Sequence, residues 1–338
     1  MRKLLLIILS AVLLLGSSCK NELDINATWK ETFVVFGLLN SNESTHYVRI
    51  SKAYLGEGDA LQFASVYDSI NVNPSLLEVY VDEMINDEVS RTFTLTADSS
   101  IAKEQGIFSS PNQIVYKFST PPGNGLNTDA KYKLRVKNTS SGTEVNSETD
   151  LIGQIILSQP GAFLTEIGLT PKAKTTLKIK SATNGKLYES FIYFKYREYP
   201  LSNPSDIVEK VVKISLGRYS RENTNGGEVF NMEINNSEIY QTLANNIPVS
   251  TSDNELVRLA DSLSFEVNAV TPEVETYLSV NEPSNTLAQE RPAFSNIENG
   301  IGIFSSRTSV TRSIYINDAS VDSLRNNSVT QDLNFLSR

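Results

Sequence analysis

Hydrophobic and polar positions alternate with period two along much of the chain. In THYVRISKAY (45–54), Tyr47, Arg49 and Ser51 fall on one face and Val48, Ile50 and Lys52 on the other. LLEVYVDE (76–83) sets Leu77, Val79 and Val81 against Glu78 and Asp82, and KYKLRVKN (131–138) sets Tyr132, Leu134 and Val136 against Lys133, Arg135 and Lys137. QIVYKFST (113–120) behaves similarly, and ETFVVFGLLN (31–40) is a short apolar run closed by Asn40. Alternation of this kind marks half-buried antiparallel strands. Turn residues at Pro74, PPGNG (121–125) and SSG (140–142) separate several of them. Only DALQFASVYDS (59–69) reads as a short helix or lid. Residues 27–157 are therefore expected to form an Ig-like or fibronectin-like β-sandwich.

SQPGAF (158–163) is the expected boundary, because Pro160 and Gly161 interrupt any element. Beyond it, KTTLKIKS (174–181), KLYESFIYFKYREY (186–199), VEKVVKISLGRY (208–219), SLSFEVNAV (262–270) and RTSVTRSIYIN (307–317) read as strands. SEIYQTLANNI (237–247) and TPEVETYLSV (271–280) read as helices, the second with Thr271 as N-cap and Pro272 at the first helical position. Residues 158–338 are expected to form a larger antiparallel sheet or barrel-like domain with inserted helices. The whole is expected to be all-β with minor helices.

The first residues follow a different pattern. Arg2 and Lys3 precede an apolar run, Leu4 to Leu15, broken only by Ser10. It is too short for a bilayer span of ~20 residues. Gly16, Ser17 and Ser18 are small, and Cys19, the only cysteine, follows them. L-G-S-S-C resembles the lipobox of bacterial lipoproteins, in which the thiol is diacylated (palmitate is a usual chain) and the signal peptide is cut just before it. Residues 1–18 then read as the signal, 19–26 as a tether, and Cys19 as the lipid attachment site. An ordinary signal peptide cut near Ser17, leaving a free thiol, is the alternative. Residues 1–18 contain two bases and no acid, so the remaining body is more acidic than the whole chain's −9. That argues against nucleic acid as a partner and against a polybasic membrane surface. The lipid is the expected membrane contact.

No H-E-x-x-H, C-x-x-C or phosphate-loop motif occurs. The single histidine, His46, is expected to be an exposed strand-edge residue, and with one His and one Cys a structural zinc site lacks ligands. NESTH and DSINVNP hold oxygen ligands, but turns use the same residues, and no calcium loop is present. No cofactor or metal is expected. A hydrolase built on two carboxylates ~5–10 Å apart is the remaining enzymatic reading, with no pair to assign. The strongest binding candidate is YESFIYFKYREY (188–199), where Phe191, Tyr193, Tyr196 and Tyr199 form a possible aromatic platform, weighed against a role in the core.

SNIENGIGIF (295–304) holds two glycines, too few for a dinucleotide loop. Asn299-Gly300 is a turn pair, and Gly302 between two isoleucines suits a bulge or a close backbone approach. The segment is expected to turn tightly into a buried strand, with Ile301, Ile303 or Phe304 in the core of the second domain.

The late run PAFSNIENGIGIFSSR (292–307), with Ser295, Asn296, Ile297, Gly300, Gly302 and Phe304, is joined by the opening C-x-x-x-L-D and the strand ETFVVFGLLN. Together they resemble a Bacteroidetes family of uncharacterised lipoproteins, domain-of-unknown-function family 4249. The resemblance implies an outer-membrane protein encoded beside a TonB-dependent receptor, capturing or passing on a nutrient. It carries no functional residue across. In that setting the lysine and acids of KNELD (20–24) partly match a surface-display signal, which would separate the cell surface from the periplasmic face. Asp68-Ser69-Ile70, Asp261-Ser262-Leu263 and Asp322-Ser323-Leu324 fit a short O-glycosylation pattern of the same phylum. The expected function is a lipid-anchored accessory protein binding a small molecule or glycan. A surface adhesin is the first alternative and a glycan hydrolase the second.

Overall fold

The computed structural model describes residues 31–53, 60–102, 113–250, 255–282 and 293–336. The signal peptide, Cys19, the tether and KNELD lie outside them. The first half runs β1 (Phe33–Leu39), β2 (Thr45–Lys52), short helices α1 (Ala60–Ser65) and α2 (Tyr67–Ile70), β3 (Leu77–Ile85), β4 (Glu88–Thr94), β5 (Thr96–Asp98), β6 (Val115–Ser119), β7 (Lys131–Asn138) and β8 (Glu144–Asp150). The second runs β9 (Ile156–Gln159), β10 (Glu166–Ile167), β11 (Lys174–Lys180), β12 (Leu187–Pro200), β13 (Val208–Ser220), β14 (Val229–Asn235), α3 (Asn236–Asn246), β15 (Leu256–Val270), α4 (Pro272–Asn281), β16 (Ile301–Ile316) and α5 (Asp318–Asn326). The protein is all-β with minor helices, as the alternation requires.

One long sheet, ordered β13-β12-β15-β16-β1-β2-β6-β5, runs through both halves, with β10 also paired to β16. Two smaller sheets pack on it. The sheet β4-β3-β7-β8 covers the β1-β2-β6 end. Phe33, Val35, Val48, Ile50, Tyr116 and Phe118 meet Val79, Val81, Leu134, Val136 and Val145 in the first core. The sheet β14-β11-β9 covers the other end. There Ile192, Phe194, Leu263 and Phe265 meet Leu177, Ile179, Phe230 and Met232, with Ile239, Tyr240 and Leu243 of α3 and Val321 and Leu324 of α5 added. Each half is thus a two-layer β-sandwich. Among the described residues no ladder joins β13 to β14, so the second half stays open rather than closing into a barrel.

β16 is the splice. Its first six residues pair in parallel with β1, from Val34↔Ile301 to Leu39↔Ser306. Its remaining length pairs antiparallel with β15, from Val270↔Arg307 to Ser262↔Tyr315. The expected late strand at 307–317 and the expected strand after the Asn299-Gly300 turn are therefore one element of 16 residues. Asn299 has φ 59°, which an asparagine tolerates in a turn. Gly302 has φ +114°, and a Cβ there would lie 2.0 Å from the carbonyl oxygen of Val35. The close backbone approach expected from the missing side chain is present, and it is what lets β16 seat beside β1.

Three expectations are corrected by this arrangement. Phe304 lies in the first core, not the second, because β16 reaches β1 before it reaches β15, and Ile301 is exposed. The two cores divide between Leu151 and Ile152 rather than at residue 158, and residues 295–306 complete the first one. His46 is buried rather than exposed, because it shares the inward face of β2 with Val48 and Ile50. The helix α5 was not expected. Asn317 caps it by accepting a hydrogen bond from the Ser320 backbone N–H. The cap expected at Thr271 is present in position, but its hydroxyl turns to Ser305 across the sheet instead of to the helix. Ser262 is buried in β15, so its Asp-Ser-Leu triplet is closed to glycosylation in the folded state.

Candidate functional site

β12 carries the aromatic stretch, and its alternation divides the expected platform between two faces. Tyr188, Ser190, Ile192, Phe194 and Tyr196 point into the second core. Phe191, Tyr193 and Tyr199 lie half-buried on the outer face. Phe191 and Tyr193 stand together, ring centroids 6.3 Å apart. The Lys213 amine sits 3.6 Å from the Phe191 centroid and 5.7 Å from that of Tyr193. Tyr199 is six residues further along, ~20 Å at strand rise. The four residues therefore do not form one platform. Phe191 and Tyr193 already hold a cation, and Tyr196 belongs to a different site.

That site lies where β12, β13 and the start of β15 leave the core. Two cavities share Tyr196, Lys210 and Val211 as walls. The larger, of ≈ 690 Å³, adds Lys195, Arg197, Glu209, Asp261 and Ser262. A bulge shapes it: Lys195 pairs with Ser262 but Tyr196 pairs with Ala260, so Asp261 lies opposite no residue of β12. The smaller, of ≈ 410 Å³, runs from Glu198, Lys210 and Lys213 to Asn246 at the end of α3 and Pro248 beyond it, with Leu256 and Arg258 of β15.

Arg258 is the unusual member. Leu256, Arg258 and Ala260 share one strand face, which turns the guanidinium inward, and it is wholly buried. The C-terminal segment seals it. The Arg258 backbone N–H donates to the Asn334 carbonyl at 3.1 Å, the Leu336 N–H donates to the Arg258 carbonyl at 2.9 Å, and Arg258 Nη1 donates to the Leu333 carbonyl at 2.7 Å. Phe335 packs edge-on against Phe194 and Tyr196. Arg258 Nε donates to Glu198 Oε2 at 3.0 Å, and Lys210 Nζ lies 3.6 Å from Glu198 Oε1. Nη2 has no partner. Burial and then Glu198 push the Tyr196 hydroxyl above its ordinary pKa, against the pull of Arg258. Tyr196 therefore stays a neutral hydroxyl at the boundary of the two cavities.

Of these residues the aromatic stretch pointed only to Tyr196. Arg258, Lys210 and Asn246 come from other elements. The available signal for Arg258 was a single charge inside the apolar run LVRLA. His46 contributes no site chemistry: burial holds its imidazole below its ordinary pKa, with Glu43 opposing, and neither ring nitrogen has a partner. Among the described residues, no group of three or more His, Cys, Asp or Glu is placed to hold a metal ion. No described helix is long and apolar enough to cross a membrane.

No protein-family model matches the chain, and no curated protein matches it. Among solved structures, the sporulation control protein Spo0M from Bacillus subtilis is similar at 11% identity and a TM-score of 0.19, covering 52% of this chain and 54% of that one. The chain thus spans about half the length of that protein, and at this score the likeness carries no argument about fold or function.

Proposed function

We propose that this is a lipid-anchored accessory protein of the outer membrane that binds a small ligand and works beside a TonB-dependent receptor in nutrient uptake. The observation that carries the binding part is the pair of adjoining cavities at the end of β12 and β13, of ≈ 690 and ≈ 410 Å³. Their sizes suit a small ligand, and their walls mix one aromatic hydroxyl, both signs of charge and some apolar surface. The anchor rests on the lipobox at Cys19, and the receptor partner on the resemblance of residues 292–307.

Three experiments test it. Cys19→Ala is expected to abolish acyl labelling and release the protein from the membrane fraction. Unchanged labelling and fractionation would remove the anchor. Pull-down of the acylated protein from native membranes is expected to bring a TonB-dependent receptor with it. A pull-down with no receptor above background would replace the accessory role by surface adhesion. Protease shaving of intact cells, with Lys20 and Glu22 intact or replaced, assigns the protein to the surface or the periplasmic face.

A further inference from the structure

We propose that the smaller cavity is a receptor site for a small organic carboxylate with an apolar body. The inference deepens the binding reading above and rests on it. It begins from a charge imbalance. Two cations, Arg258 and Lys210, converge on one carboxylate, Glu198, at 3.0 and 3.6 Å. Glu198 is the only acid in the described wall of this cavity. Lys213 is a third cation of the same wall, so the cavity has two positive charges in excess, within a chain whose net charge is −9.

The hydrogen-bond account is also open. Of the Arg258 donors, Nε reaches Glu198 and Nη1 reaches the Leu333 carbonyl, while Nη2 makes no close hydrogen bond and the Tyr196 hydroxyl is the guanidinium's remaining polar neighbour. A guanidinium with no exposed surface loses its water on folding, and each nitrogen left unpaired retains that cost. Arg258 is a residue of the cavity wall with no exposed side-chain surface, so an acceptor entering the cavity meets Lys210 and Lys213 first and reaches the guanidinium only as the wall side chains give way. A carboxylate supplies a negative charge for the excess cations and, once the wall admits it, an oxygen to accept from Arg258. Lys210, about half exposed at the mouth, is placed to meet the ligand first.

The rest of the wall selects the body of the ligand. Pro248, Leu256 and Val212 are apolar, and Asn246 and Tyr196 add neutral polar groups. A volume of ≈ 410 Å³ suits a small molecule rather than a polymer chain. The apolar part of the wall suits an organic anion better than inorganic phosphate.

The test uses benzoate as the probe, benzamide as its uncharged counterpart and inorganic phosphate as the dianion, each titrated by calorimetry into the soluble mature domain carrying Cys19→Ala. Benzoate is expected to bind at least tenfold more tightly than benzamide or phosphate. Lys210→Gln, at a half-exposed position that leaves folding intact, is expected to weaken benzoate about tenfold and leave benzamide unchanged. Arg258→Met is expected to abolish benzoate binding, with the circular-dichroism melting curve confirming the fold. Equal binding of benzoate and benzamide would overturn the carboxylate inference while leaving the groove a binding site. Tighter binding of phosphate would likewise overturn it. No binding of any probe would also overturn it, and the binding reading would then be judged separately, by mass spectrometry of small molecules released from protein purified from its native membrane.

Discussion

Glu83 and Arg258 are both buried charges at the margin of a β-sandwich core, one in each half, and they are satisfied to different degrees. Glu83 sits beside its cross-strand neighbours Arg91 and Tyr132. It accepts from Arg91 Nε at 2.9 Å, from Arg91 Nη2, and from the Tyr132 hydroxyl at 2.6 Å. Arg91 is in turn held by Asn124 Oδ1 at 3.0 Å and the Gly125 carbonyl at 2.8 Å. Burial pushes the Glu83 carboxyl up, but these hydrogen bonds outweigh it, and the acid stays ionised below its usual range. Arg258 has one carboxylate shared with Lys210 and one nitrogen without a partner. A closed network positions the loop over the first core. The open one lines a cavity, where the ligand we propose would complete it. Burial of a charge does not separate structure from function here; completeness of its partners does.

The largest effect is expected at the strand the two halves share. In Gly302→Val the new Cβ meets the Val35 backbone, and the residue must also hold φ +114°. β16 cannot keep its parallel register with β1, and its antiparallel register with β15 continues directly from there. The expected loss is more than about 4 kcal/mol, with no folded protein recovered. If the variant instead keeps its circular-dichroism melting curve, the seam does not couple the halves, and the comparison between them becomes one between separate units.

Next comes the closed network. Glu83→Ala strands Arg91 and the Tyr132 hydroxyl together and is expected to cost about 3 kcal/mol, read as a shift in urea midpoint with an unchanged slope. Arg258→Met is the matched test in the second half. Glu198 keeps Lys210 and some solvent, so no carboxylate is stranded, and the cost of the unpaired Nη2 is relieved. Stability is expected to stay within about 1 kcal/mol of the parent, in either direction. A loss as large as that of Glu83→Ala would make Arg258 a structural residue and remove the contrast.

These differences explain what could be read in advance. Strand positions and the all-β class follow from alternation, because one face of each sheet is buried and the other wet. Tyr132, Leu134 and Val136, or Leu77, Val79 and Val81, show it directly. The seam was harder. The parallel pairing of β1 with β16 joins residues more than 260 apart, and nothing in a local period specifies a partner at that distance. Gly302 was legible as a close approach, but not the strand it approaches. The candidate site was legible only at Tyr196. Arg258, Lys210 and Asn246 converge from three elements, and the charge in LVRLA is meaningful only once Leu256 and Ala260 are known to face inward.

His46 departs from expectation for the opposite reason. It shares the parity of Val48 and Ile50, and the inward face of β2 prevails over its polarity. It supplies the smallest and most specific prediction. Its ring lies 4.8 Å from that of Phe118, its nitrogens have no partners, and burial lowers its pKa from the ordinary 6.5 despite Glu43. Above about pH 7.5 the imidazole is neutral in both folded and unfolded chains and contributes no pH dependence. Below that value the unfolded chain takes up a proton that the folded chain refuses, so stability falls with acidity until the lowered folded pKa is reached. Asp82 and Glu83 do not confuse this window, because their folded carboxyls titrate below 3.8 and 4.5. Their stabilisation is lost only at more acidic pH. With one histidine in the chain, His46→Phe is expected to flatten the stability curve between pH 7.5 and 6. The difference between variant and parent should grow across that interval by a little under about 1 kcal/mol, measured by urea unfolding at each pH. A parallel pair of curves would mean that the imidazole titrates alike in both states, and that water reaches it in the folded core.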